Sequence, residues 1–116
     1  MLGDFLAYQF VTDLNYSELC NFSEHEFVIA GPGARDGLCK CFPDLPLSLA
    51  SEAIKAVCEA QTVEFAKREL KFQDLWGRPL QLIDCQNLFC EVDKYARIAH
   101  PAVKGLSGRT RIKQQY

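Results

Sequence analysis

The sequence predicts an all-α domain of five to seven helices, and three observations carry that reading. Apolar residues recur at helical spacing in several windows. Gly, Pro and Asn punctuate those windows where helices would stop. Period-two alternation, which a half-buried strand needs, is weak throughout. The chain has 116 residues, enough for one domain with one core. Its apolar fraction of 48 % is ordinary for a globular chain and argues against disorder.

The first element covers residues 4–15, which place Phe5, Leu6, Phe10, Val11 and Leu14 at helical spacing, with Asp4 helping to cap the start and Asn15 ending the run. Ser23 and Glu26 read as a capping box before the apolar run Phe27-Val28-Ile29-Ala30, predicting a short buried helix. Gly31-Pro32-Gly33 stops it, because proline cannot continue a helix. A second short helix runs from Ala34 to about Phe42, and Pro43 and Pro46 mark a turn. Ser48 or Ser51 caps the next stretch, which reads as one long helix or as two broken near Gln61-Thr62. Residues 74–79 form a loop. A final helix spans 84–99 with Leu88, Phe89, Val92, Tyr95 and Ala96 inward, and Pro101, Gly105 and Gly108 break up the C-terminal segment. The whole divides into a hairpin (27–42), insertion helices (48–72), a carboxylate-bearing helix (84–99) and a basic tail (100–116).

Charge and cysteine usage narrow the function classes. Net charge is −2, from 13 basic and 15 acidic residues, which counts against a strong nonspecific grip on nucleic acid. The distribution is uneven: Lys94, Arg97, Lys104, Arg109, Arg111 and Lys113 come in succession with no Asp or Glu after Asp93. That tail reads either as a nucleic-acid contact or as a solvated terminus. No apolar run approaches the ~20 residues a membrane helix needs, and no basic segment precedes an apolar one as in a signal peptide. An intracellular location is expected, with the six cysteines as free thiols acting as small apolar residues. Their spacing, and that of His25 and His100, suggests no metal site.

Two segments carry chemistry. A Gly31-Pro32-Gly33 turn between helices exposes backbone N–H groups that, with the helix dipole, favour a phosphate. The alternative is a plain turn whose glycines serve geometry alone. Asp84 opens the last helix, where it reads either as a helix cap or as a carboxylate facing a substrate.

Taken together, Gly3-Asp4-Phe5-Leu6-Ala7-Tyr8-Gln9, the Gly-Pro-Gly-Ala-Arg segment at 31–35, Asp84-Cys85-Gln86-Asn87-Leu88-Phe89-Cys90-Glu91 and Lys94-Tyr95-Ala96-Arg97 resemble the helical domain found with 5-hydroxymethyluracil DNA kinases. They are also similar to the α-glutamyl/putrescinyl thymine pyrophosphorylases of DNA hypermodification, relatives of the helix-hairpin-helix DNA glycosylases. The resemblance runs from Leu2 to Tyr116. It implies a helix-hairpin-helix glycosylase-like fold acting on a modified pyrimidine, such as the hydroxymethylated bases of phage DNA. Gly31, Gly33, Ala34 and Arg35 would hold the phosphate backbone, optionally with a monovalent or divalent cation, and Arg78 and Arg97 would add further phosphate contacts. Asp84 would stabilise the sugar cation as the N-glycosidic bond breaks. Gln86 and Asn87 would read an extruded base, with Tyr8 and Gln9 lining the pocket. No other cofactor is expected.

Two departures qualify the resemblance. The interval from Gly33 to Asp84 is long for a glycosylase of this kind. No lysine comes directly after the hairpin, so an enzyme of this type would be monofunctional. The chain also lacks a Gly-x-x-x-x-Gly-Lys-[Ser/Thr] loop and is not itself the P-loop kinase. A non-catalytic DNA-binding module and a pyrophosphorylase-like group transfer are the alternatives, and another chain or domain would complete the pocket. Core packing for Tyr8, a half-buried loop anchor for Trp76, an exposed helix face for Glu91 and a surface ion pair for Asp93 and Lys94 are the plain structural readings.

Overall fold

The computed structural model of the chain describes residues 3–73 and 76–113. Asp74 and Leu75 of the expected loop, Leu2, and residues 114–116 of the tail lie outside them. Among the described residues there are four α-helices and no strand: α1 (Asp4–Asn15), α2 (Pro32–Cys41), α3 (Ala50–Lys67) and α4 (Leu82–Ala99). A 3₁₀ turn, Leu47–Leu49, leads into α3. Two features set the count just below the expected range: an anticipated helix that does not form and, of the two readings left open for the third stretch, the unbroken one.

The first is at residues 27–30, which are not helical. Four residues cannot repay helix nucleation, and Val28 and Ile29 are β-branched. Val28 and Ala30 turn inward while Phe27 stays exposed, the alternation of an extended segment. The Ser23–Glu26 pair does form, with the Ser23 N–H donating to Glu26 Oε1 at 3.3 Å, but it closes a turn with no helix after it. Pro32 therefore begins a helix instead of ending one. It occupies N1, where its missing N–H costs nothing. The segment 27–42 thus holds one helix, not a helix-hairpin-helix pair.

The second is near Gln61, where α3 runs on without interruption. Gln61 reaches out of the helix to clamp the later loop: it accepts the Leu80 N–H at 2.8 Å and donates to the Leu80 carbonyl at 2.9 Å. Neither serine caps α3. Its N-cap is Leu49, and the Ser51 hydroxyl instead donates to the Val28 carbonyl at 2.7 Å, fastening the extended arm to α3.

The principal helix contact is between α2 and α4, and glycine makes it possible. A Cβ on Gly37 would overlap the Phe89 carbonyl oxygen, and one on Gly33 would come within 3.2 Å of the Cys90 sulfur. Gly33 and Gly37 are one turn apart, so both lie on the face of α2 that meets α4. Around this contact Ala34, Leu38, Ile54, Leu82, Cys85 and Phe89 form the buried core, with Tyr8 joining from α1. A buried ion triad crosses the same interface. Asp93, 1 % exposed, is paired with Lys40 from α2 at 2.8 Å and with Arg97 one turn along α4. Asp93 is therefore no surface residue. Lys94 pairs with Glu91 at 2.7 Å on the exposed side. All six cysteines are free thiols. No helix among the described residues is long and apolar enough to cross a membrane.

Candidate functional site

The first two turns of α4 gather most of the residues singled out in the sequence. The helix starts two residues before Asp84, so Asp84 is its third residue and Gln81 is the cap. The two form a capping box, in which Asp84 Oδ2 accepts the Gln81 N–H at 2.8 Å. Arg78 completes the arrangement, donating from Nη1 to Asp84 Oδ2 at 2.6 Å and from Nη2 to Oδ1 at 3.5 Å. The Asp84 carboxylate holds the Arg78 guanidinium even more firmly charged than usual, against a smaller opposing effect of burial. Two candidates with separate expected roles thus meet in one ion pair. The carboxylate keeps 20 % of its side-chain surface open to solvent.

Gln86 is fully buried, and its side chain touches no open surface. Its Oε1 accepts the Gly31 N–H at 3.1 Å, and its Nε2 donates to Asn87 Oδ1 at 2.7 Å. A base-reading role for Gln86 is thereby corrected, because the residue works as a buried link between helices. The same bond corrects the role of the glycine turn. The Gly31 amide is already occupied, Pro32 has none, Gly33 faces Cys90, and Ala34 is wholly buried. This end of α2 therefore offers a phosphate neither the Gly31 amide nor one from Pro32. Of the four residues expected to hold the phosphate backbone, Gly31, Gly33, Ala34 and Arg35, only Arg35 is exposed, with its Nε donating to the Ala30 carbonyl at 3.1 Å. Arg97 is inside the Asp93 triad, 8 % exposed, and is not available to a DNA backbone.

Asn87 and Gln9 are exposed, and the fold brings them together. They line a cleft of about 290 Å³ between α1 and α4, with Leu6, Phe10, Thr12 and Asp13 from α1 and Ile83 from α4. Tyr8 lies behind this wall and packs in the core. Burial, the largest effect, pushes its phenol up to about 12, with a smaller contribution from the Glu24 carboxylate.

Three residues near the site were not anticipated. Asp13 is the charged residue of the cleft, and its sequence signal was its i, i+4 relation to Gln9. Tyr16, exposed just beyond α1, has its phenol raised chiefly by partial burial and then by Glu24, with Asp84 and Asp13 adding to it and Arg78 opposing. It therefore stands within electrostatic reach of both the cleft and the Arg78–Asp84 pair. Glu24 has one carboxylate oxygen buried without a hydrogen-bond partner. Trp76, expected to anchor its loop, is fully exposed.

Chemically, the cleft offers an apolar and aromatic wall, two carboxamides and one carboxylate. Its volume is near the lower end of small-ligand pockets, which run from roughly 300 to 1,000 Å³, so it suits a single small ring. A family model described as "5-hmdU DNA kinase, helical domain" matches residues 1–105. Neither a curated protein nor a solved structure matches the chain.

Proposed function

Because the chain belongs to the family of 5-hmdU DNA kinase helical domains, we propose that it is a DNA-recognition module that takes an extruded modified pyrimidine into the α1/α4 cleft. The observation that carries this reading is the convergence of Gln9, Asn87 and Asp13 on one cleft walled by Phe10, Leu6 and Ile83. A uracil edge presents two carbonyl acceptors flanking an N–H donor. Gln86 occupies Asn87 Oδ1, so the Asn87 amino group is left to donate to a base carbonyl. Gln9 supplies the acceptor for the ring N–H. Asp13 accepts the O–H of a 5-hydroxymethyl group, which thymine lacks. Phe10 supplies an apolar face, as base-flipping pockets do.

The test is binding of oligonucleotides that differ only in carrying 5-hydroxymethyluracil or thymine at one position. The wild type should prefer the hydroxymethylated base. Asp13→Ala should lower that preference by about tenfold or more, because a site built to bond a hydroxyl discriminates through it. Asn87→Ala should weaken binding to both. Equal affinity of the wild type for the two bases would overturn the reading.

One observation favours a second, catalytic reading. Asp84 lies one helical turn before Asn87 and keeps part of its carboxylate exposed. In a glycosylase-like reaction the C1′–N bond breaks with its electron pair leaving on the base. Water adds at C1′, and a carboxylate stabilises the sugar cation and takes the water's proton. Release of free base by the wild type but not by Asp84→Asn would establish it. Binding without release leaves the recognition module standing, with the chemistry performed by another domain or chain.

A further inference from the structure

The basic tail admits two roles on its composition alone, a nucleic-acid contact or a solvated terminus, and its place in the fold favours the first. Resting on the DNA-recognition reading, we infer that residues 104–113 form a docked strap whose outward cations hold the DNA phosphate backbone. The segment is fastened at two points. The Ser107 N–H donates to Asp36 Oδ1 at 2.8 Å, and the Ser107 hydroxyl donates to the other oxygen of that carboxylate. Further on, Arg97 Nη1 donates to the Arg111 carbonyl at 2.8 Å, and Arg97 is itself held by buried Asp93. The fit over Asp36 is close: a Cβ on Gly105 would stand 3.0 Å from the Asp36 carboxyl carbon.

This anchoring sorts the charges. The acids that hold the strap, Asp36 and Asp93, are buried beneath it. Lys104, Arg109, Arg111 and Lys113 are exposed, and the chain has no Asp or Glu beyond Asp93. Asp36 lies 3.5 Å from Arg109 and balances it, while among the described residues no carboxylate pairs with Lys104, Arg111 or Lys113. Arg109 turns back onto Ser107 and Asp36, which leaves Lys104, Arg111 and Lys113, among the described residues, as the cations of the strap that no carboxylate neutralises. A group of exposed cations on an anchored segment suits a polymer with regularly spaced negative charge. From Asn87 to Arg97 along α4 is about 15 Å at the helical rise. The strap would thus meet phosphates several nucleotides from the extruded base. It replaces the glycine turn as the backbone contact, and it lies largely beyond the residues the family model matches.

The test is a salt series. Binding of an oligonucleotide carrying 5-hydroxymethyluracil is measured by fluorescence anisotropy for the wild type and for a K104Q/R111Q/K113Q variant. All three changes are at exposed positions, so the fold should be kept, which circular dichroism checks. The slope of log K against log salt should fall by about two to three, roughly one per lost phosphate contact. The preference for hydroxymethyluracil over thymine should be unchanged. Asn87→Ala should do the opposite, weakening base contact at constant slope. An unchanged slope in the triple variant with preference retained would overturn the strap alone. No measurable wild-type binding to either DNA would overturn both readings.

Discussion

One buried carboxamide changes the meaning of its neighbours. Gln86 occupies the Gly31 amide on one side and the Asn87 oxygen on the other, so it removes one expected ligand contact and orients another. Gln86→Leu should leave a buried N–H without a partner and cost about 1–3 kcal/mol, read by urea denaturation. It should also weaken base binding by freeing the Asn87 amide to rotate. Had Gln86 faced the ligand, the same change would lower affinity with stability intact. At this scale residue type foretells surface position for Gln9 and Asn87, which the fold leaves exposed. It was misleading at Gln86, because the environment of that side chain depends on how closely α2 approaches α4. Asp13 was visible only in relation to Gln9, once α1 was known to form a wall.

At the level of elements, the glycines of α2 are contact residues. Gly37→Ala would drive a methyl group into the backbone carbonyl of Phe89, which cannot rotate away. We expect a loss of about 2 kcal/mol or more, in the upper part of the usual overpacking range. Gly33→Ala should cost less, because it meets the movable Cys90 side chain. A phosphate-cradling turn predicts the reverse, with stability kept and DNA affinity lost. Asp93→Ala should be severe, about 3–5 kcal/mol, because it strands Lys40 and Arg97 as buried uncompensated cations. Equilibrium unfolding of these variants checks all three expectations. The helices of 4–15 and 84–99 were readable from periodicity and punctuation, although α4 begins two residues earlier and Leu88, Val92 and Tyr95, expected inward, are exposed. The arm at 27–30 was not, because four apolar residues carry no period that separates helix from extended chain.

For the whole molecule, the ionisable groups of the core and of the strap set two limits of stability. Burial, aided by neighbouring Cys58, pushes the Cys85 thiol from 9.0 up to about 12, and burial takes the Tyr8 phenol from 10.0 to about 12. In the unfolded chain both ionise at their ordinary values, so unfolding becomes progressively easier above about pH 9. Their contribution is complete below that value and is lost by about pH 12. Melting temperatures between pH 8 and 11 should fall accordingly, and Tyr8→Phe should remove the part that begins near pH 10. On the acid side, burial works against Asp36 ionisation, but the Ser107 side-chain and backbone donors and Arg109 outweigh it, so its carboxyl lies below the ordinary value. That contribution is present above about pH 4 and disappears as the carboxyl protonates at lower pH. Asp36→Asn should remove this acid dependence and loosen the strap at every pH. The all-helical class was legible from composition and punctuation. The docking of a basic terminus onto a buried aspartate was not, because it joins residues far apart in the chain, Asp36 and Ser107.

Trp76 is the sole tryptophan, and it stands fully in solvent two residues before Arg78. Its indole already has a watery environment in the native state, so its emission maximum should barely move on denaturation. Fluorescence is therefore a poor probe of unfolding for this protein. A change in this otherwise constant signal on adding DNA would instead report contact at the Arg78 loop, separately from entry of a base into the α1/α4 cleft.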